Sequence, residues 1–167
     1  MSQTVENLKA AFAGESQANR RYLAFAQKAE EEGHPQVARL FQAVAAAETV
    51  HALNDLKVLG AVKSTADNLQ AAINGEFHEF TKMYPEFVKQ AEADGDAPAR
   101  ESFAYASRVE KVHHQLFENT LAKLRAGAQF VAFDYYVCQY CGNTVTNSAP
   151  SACPVCGKPQ EWFKKVG

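Results

Sequence analysis

No sign of charge dominates this 167-residue chain: 17 lysines and arginines stand against 19 aspartates and glutamates, mixed along its length, for a formal net charge of -2. That leaves no electrostatic footprint for nucleic acid or for an anionic membrane surface, and neither is expected as a partner. No uninterrupted apolar run approaches the ~20 residues that span a bilayer, and no basic segment followed by an apolar stretch opens the chain. The expectation is a soluble, cytoplasmic protein. Cysteine is missing everywhere except between Cys138 and Cys156, where all four fall into two C-x-x-C pairs. Without a secretion signal, that clustering favours metal binding over a disulfide framework.

What the chain does have is helical periodicity, and its 47% hydrophobic content can bury one core and leave a small module over. Four long segments show it: roughly Val5 to Glu32, Pro35 to Leu59, Ala66 to Asp94 and Ala97 to Ala126. Thr4 and Thr65 are placed as N-caps, Gly33 and Gly95 as helix ends, and Pro35 in a first turn. After Ala126 the pattern becomes aromatic and β-branched, then rich in glycine, asparagine, serine and proline. The expected class is all-α, with a four-helix bundle over residues 1–130 and a β-and-turn module over 131–167. The module is too short for a large core, so a metal must staple it.

The first half of the bundle recurs in the second. Laid over each other, Thr4 to Glu15 and Thr65 to Glu76 are identical at seven of twelve positions, and Glu48-Thr-Val-His51 returns as Glu110-Lys-Val-His113. Two related helical hairpins result, each supplying half of something. The inward stripe of the first helix runs Leu8, Phe12, Glu15, Ala18, Tyr22, Phe25, Ala29; that of the second Val37, Phe41, Val44, Glu48, His51, Asp55, Val58. Leu69, Ile73, Glu76, Phe80 and Met83 mark the third, with Glu79 a turn from Glu76. Phe103, Ala106, Glu110, His113, Phe117, Thr120 and Leu124 mark the fourth.

Five carboxylates crowded in an apolar core would repel or neutralise one another, so cations are required. Carboxylates with two imidazoles suit iron or manganese before calcium or magnesium, and bridging carboxylates hold two such ions close together. The depths agree as well. Glu15 lies 18 residues before Gly33, with Glu48 and His51 15 and 18 after it; Glu76 lies 19 before Gly95, with Glu110 and His113 15 and 18 after. At ~1.5 Å of rise per residue, each hairpin brings its ligands to within a few Å of one height. One Glu on each of two helices plus Glu-x-x-His on the other two is the pattern of ferritin-like di-iron carboxylate proteins. His34, His78 and His114 are assigned surface roles. Asp55 is either an acceptor that fixes an imidazole tautomer or a solvated residue near a helix end.

Cys138-Gln-Tyr-Cys141-Gly and Cys153-Pro-Val-Cys156-Gly form two turns whose four sulfurs make a tetrahedral site, for which zinc and iron are both suitable. Trp162, Phe163, Tyr135 and Tyr140 either shield that centre or form the module's small core.

With these motifs in order, practically the whole chain resembles the rubrerythrin family, a ferritin-like di-iron bundle followed by a rubredoxin-like knuckle. The matching residues are Gly14-Glu15 with Arg21-Tyr22, Glu48-x-x-His51, Gly75-Glu76-x-x-Glu79 with Met83-Tyr84-Pro85, Glu110-x-x-His113, and Cys138, Cys141, Cys153 and Cys156. The resemblance implies a non-haem peroxidase that reduces hydrogen peroxide to water in oxidative-stress defence. Its cofactors would be two irons in the bundle and a third in the four-cysteine site, fed by a redox donor protein such as rubredoxin or a reductase. It further implies that Glu79 exchanges with His51 as one iron changes oxidation state, and that Tyr22 and Tyr84 stand beside the cluster. Ordinary core tyrosines remain the other reading of those two. An iron held by four thiolates relays single electrons, whereas zinc there would be redox-silent, which favours iron. The rivals are an iron-oxidising or iron-storing ferritin relative and a zinc-ribbon interaction module.

Six residues, Gly60 to Thr65, join the two hairpins, reaching at most ~20 Å, while a 25-residue helix is ~37 Å long. The long crossover usual in ferritin-like bundles cannot be made. Either the helices pack up-down-up-down or hairpins are exchanged in a homodimer, and the exchanged dimer is the expectation.

Overall fold

The computed structural model of the chain describes residues 2–166. It comprises α1 (Gln3–Glu31), α2 (Pro35–Val58), α3 (Thr65–His78), a π-helical turn (Glu79–Met83), α4 (Tyr84–Asp94), α5 (Ala97–Arg125), β1 (Tyr135–Cys138), β2 (Thr144–Thr146), a 3₁₀ turn (Gln160–Trp162) and β3 (Phe163–Val166). Among the described residues no helix is long and apolar enough to cross a membrane. The chain divides into two compact units, one up to Lys63 and one from Ser64 onward.

The helix ends follow local chemistry. Ser2 and Ser64 are the N-caps, their hydroxyls accepting from the backbone N–H of Val5 and Asp67. Thr4 and Thr65, expected as caps, instead lie inside the first turns, because each serine reaches the third backbone N–H from the extended conformation a cap needs. Gly95 closes α4 at φ 70, and Gly33, φ 78, turns α1 into α2.

The first unit is the α1–α2 hairpin. Its seam is made of small residues, with Ala18, Ala26 and Ala29 of α1 and Ala38, Ala45 and Ala52 of α2 all buried. Asn19 is buried among them and donates through Nδ2 to the Ala45 carbonyl at 2.7 Å and to Thr49 Oγ1 at 2.9 Å. The inward stripe expected from hydrophobicity is met in part: Ala18 and Ala29 are buried and Leu8, Phe12, Tyr22, Phe41 and Val44 half-buried, while its outer members are not covered. Val37 is 46% exposed, Val58 71% and Phe25 47%, and His51 is exposed too. A pair of helices covers only the line where backbones approach, and close approach selects alanine over valine and phenylalanine.

The second unit folds α3, the π-turn and α4 as one interrupted rod onto α5, burying Ile73, Ala91, Val109 and Leu121. The single third helix expected over Ala66 to Asp94 is interrupted here. Tyr84 N–H bonds to the Glu79 carbonyl, five residues back, and the cause is Pro85, which has no N–H and whose ring would press on the carbonyl of Thr81 in an unbroken α-helix. Beyond α5 the three-stranded antiparallel sheet has the order β2-β1-β3, with Tyr135 opposite Thr146 and Val166. Val109 of α5 lies where a side chain at Gly142 would meet it at 3.8 Å, so the knuckle rests directly on α5.

Candidate metal centres

Each hairpin gathers one carboxylate–carboxylate–imidazole trio. In the first unit Glu15 comes from α1, and Glu48 and His51 from adjacent turns of α2; their ligand atoms lie within 4.8 Å of one another. His51 Nδ1 is 2.9 Å from Glu48 Oε2. The Glu15 carboxyl is held above its usual pKa by its hydrogen bond to Glu48, then by burial and by the charge of Glu48. In the second unit Glu76 of α3 meets Glu110 and His113 of α5 within the same span, and His113 Nδ1 is 2.7 Å from Glu110 Oε2. Burial, followed by the charge of Glu110 and a hydrogen bond to it, pushes Glu76 up to about 7. His113 is raised by its bond to Glu110, against the opposing effect of burial; the Gly142 carbonyl also faces the ring.

Glu79 lies outside the trio, on the π-turn. Its pKa is raised by burial and then by the charge of Glu110, and His113 is close enough to lower it. Tyr84, at the far end of that turn, has its hydroxyl held in the neutral form by burial and by the charges of Glu110, Glu79 and Glu76. The π-turn thus aims Glu79 and Tyr84 at one carboxylate cluster. Tyr22 is placed differently: its ring packs at 6.1–6.2 Å against Phe25 and Phe41. Asp55 makes no described hydrogen bond to His51, and acts on the first trio only as a charge felt by Glu15.

His114 corrects the surface role assigned to it. Its side chain is 15% exposed, and its ring packs against Phe80 at 5.4 Å and Phe77 at 5.7 Å. One residue off the stripe of a helix is still its flank, and a second helix covers that flank. His34 and His78 are exposed, as expected.

The four cysteines form a closed group. Cys138 Sγ is 3.7 Å from Cys156 Sγ and Cys141 Sγ 3.6 Å from Cys153 Sγ, close to the ~3.8 Å edge of a tetrahedron with ~2.3 Å metal–sulfur bonds. The two turns repeat each other: Gly142 N–H bonds to the Cys138 carbonyl at 2.8 Å and Gly157 N–H to the Cys153 carbonyl at 2.9 Å, with both glycines at positive φ. Burial pushes the Cys141 and Cys156 thiols up. At Cys153 burial acts the same way, but the N–H groups of Cys156 and Val155 outweigh it and hold the thiol low. Four thiolates so confined require a cation. Tyr140 and Trp162 are themselves 46% and 39% exposed; they stack edge-to-face at 5.8 Å with the Lys158 ammonium over both rings.

Two residues of these surroundings escaped the sequence reading. Asn19, one turn after Glu15, clamps α1 to α2 beside Glu48, and Thr144 Oγ1 lies 3.0 Å from His113 Nε2. Asn19 had a signal, a lone amide in an alanine-rich stripe. Thr144 had none, since 31 residues separate it from its partner.

Comparison with known proteins agrees with this geometry. The rubrerythrin family model matches residues 6–121, and the model of the rubrerythrin rubredoxin-like domain matches residues 136–164. Rubrerythrin-2 of Clostridium acetobutylicum is 35% identical, over 96% of this chain and 95% of its own. Rubrerythrin of Porphyromonas gingivalis is 36% identical over 99% and 90%, and nigerythrin of Nitratidesulfovibrio vulgaris 35% over 96% and 85%. Solved structures of nigerythrin in its mixed-valent and fully reduced, all-ferrous states superpose with TM-scores of 0.58 and 0.59 at 32% identity, covering 99% of this chain and 88% of theirs. The glutamate and histidine residues of a di-iron site and the four cysteines of a rubredoxin-like site are present.

Proposed function

Because the chain belongs to the rubrerythrin family, we propose that it is a di-iron peroxidase that reduces hydrogen peroxide to water, drawing electrons through its four-cysteine centre. The observation that carries the reading is the presence, in one chain, of two carboxylate–imidazole trios and a tetrahedral thiolate group. A ferritin-type store needs no electron input, whereas a peroxidase must be refilled after every turnover, and an iron held by four cysteines is a one-electron relay of the right kind. The functional division falls between residues 1–130 and 131–167.

Two ferrous ions, when bound, would supply the two electrons that, with two protons, convert one hydrogen peroxide to two molecules of water. The chain's residues do the remainder. Glu15, Glu48 and His51 from one hairpin, and Glu76, Glu110 and His113 from another, would hold the pair. Glu79 would be the additional carboxylate, exchanging with His51 as a ligand if the iron changes oxidation state. The Tyr84 hydroxyl, kept protonated by burial and by the surrounding negative charge, is a donor to an anionic oxygen, and Tyr22 is assigned the same role. Cys138, Cys141, Cys153 and Cys156 hold the relay iron, the donor being rubredoxin or a reductase of the cytoplasm. The six-residue connection favours a homodimer with exchanged hairpins.

Purified protein should contain about three irons per chain, show thiolate-to-iron absorption and consume peroxide only while a donor is supplied. Cys141→Ser should abolish donor-dependent turnover while leaving two irons per chain in the bundle. Zinc at the cysteines, or iron accumulation far beyond three per chain without peroxide turnover, overturns the peroxidase assignment.

A further inference from the structure

Two imidazoles occupy equivalent places in the internal repeat, yet among the described residues one is tied from behind and the other is not. His51 meets Glu48 through Nδ1, its side chain is 58% exposed, and its Nε2 has no hydrogen-bond partner among the described residues. His113 meets Glu110 through Nδ1 in the same way, but its Nε2 lies 3.0 Å from Thr144 Oγ1. Thr144 belongs to the knuckle, three residues after Cys141. Its hydroxyl proton is already committed, since Oγ1 donates to the Gly142 carbonyl at 3.2 Å. With its own proton turned to Gly142, the oxygen is free to accept from the ring, and Nε2 is the nitrogen that carries the proton once Nδ1 is given to metal. The seating of Gly142 over Val109, which is 2% exposed, fixes the knuckle loop at this height on α5.

We propose that Thr144 is a positioning residue for the di-iron centre: its hydroxyl takes the Nε2–H of His113 and so holds the ring with its Nδ1 lone pair turned toward Glu110 and Glu76. A neutral imidazole carries one proton, and fixing it on the remote nitrogen leaves the near nitrogen as the ligand. The hydrogen bond also strengthens that nitrogen as a donor to metal. The two halves of the centre are thereby unequal. The His113 side is tied to the thiolate module, while His51 Nε2 meets no hydrogen-bond partner among the described residues. The proposal rests on the di-iron reading given above.

The test uses the iron-loaded full chain with Thr144→Val, which keeps the shape and removes the hydroxyl, and Thr144→Ser, which keeps the hydroxyl. Iron release from the bundle to a ferrous chelator should be about tenfold faster in T144V, toward the lower end for a lost supporting contact because the Gly142 carbonyl stays beside the ring. The midpoint potential of the bundle irons should rise, since a weaker nitrogen donor favours the ferrous state. T144S should match wild type in both, and the knuckle's absorption should be unchanged throughout. Wild-type protein with two bundle irons and a T144V indistinguishable from it overturns the role of Thr144 alone; wild-type protein without bundle iron overturns the di-iron reading and this proposal with it. Should T144V lose the knuckle's absorption, T144A decides. Alanine and serine both lack the methyl group, so a packing role makes them alike and sinks the proposal, whereas the hydroxyl's role sets serine with wild type and alanine apart.

Discussion

The carboxyl groups of Glu76 and Glu110 are hydrogen-bonded to one another across the seam between α3 and α5. Two carboxyl groups make that contact only by sharing a proton, and a cation between them replaces it. The metal-free fold therefore behaves as a proton-binding site whose affinity is set by the same crowding that prepares it for metal.

Stability of the metal-free protein should fall as pH rises from about 4.5 to about 7. Glu76 is raised to about 7 from 4.5, so within that window the folded chain retains a proton that the unfolded chain has released, and each step upward in pH favours unfolding. Glu15 is shifted in the same direction. Iron-loaded protein should lack this decline, because bound metal neutralises the charge that the proton otherwise removes. Thermal unfolding followed from about pH 5 to about pH 8, with and without iron, measures both; parallel curves for the two forms would refute the account.

Glu76→Gln should separate stability from metal binding. An amide of the same shape donates to the Glu110 carboxylate without adding a second charge, so the metal-free variant should unfold at a higher temperature than wild type at about pH 8. The same change removes a ligand and should empty at least one iron position. Calorimetry in the presence of chelator, together with iron analysis of the reconstituted variant, checks the two halves. A variant less stable than wild type and still fully loaded would contradict both.

Asn19 should be the costliest polar residue of the first hairpin to alter. It is 9% exposed and spends its amide protons on the Ala45 carbonyl and Thr49 hydroxyl across the seam. Removing such a buried donor costs about 1–3 kcal/mol, the expectation for Asn19→Ala. Asn19→Asp should cost more, since an acceptor-only carboxylate would face the Ala45 carbonyl. Denaturant unfolding of the metal-free protein ranks the three, and an aspartate variant as stable as wild type would be inconsistent with this hydrogen-bond clamp.

The sequence made the ligands legible because E-x-x-H places both groups on one helical face, and because the repeat aligned Glu15 with Glu76 and Glu48-His51 with Glu110-His113. Helix ends were legible to within two residues wherever glycine or proline marked them. The α2 side of the seam was not: counting apolar residues selects Val37 and Val58, while the backbones meet at Ala38, Ala45 and Ala52, since contact distance rather than hydrophobicity decides which residues meet. The π-turn was missed although Pro85 announced it inside a long periodic stretch. His114 and Thr144 lay beyond reach for a different reason. Their partners are Phe77, Phe80 and His113 on other elements, and no local period encodes such meetings.

The two trios lie in separate compact units, joined by the six residues between Val58 and Thr65, and this permits a decisive test of hairpin exchange. Those residues extend over at most ~20 Å, short of the ~36 Å that a crossover along the 24-residue α2 demands. If each bundle takes one hairpin from each of two copies, a chain carrying Glu15→Ala with His51→Ala and a chain carrying Glu76→Ala with His113→Ala should both be inactive alone. Refolded together in equal amounts, half the dimers would be mixed. Each mixed dimer would contain one bundle with both trios mutated and one with both intact, so about a quarter of wild-type bundle iron and peroxide turnover should return. Bundles built within single chains cannot recover any, because every chain carries a mutated trio. Recovery near a quarter establishes exchange; a folded mixture with neither iron nor turnover eliminates it.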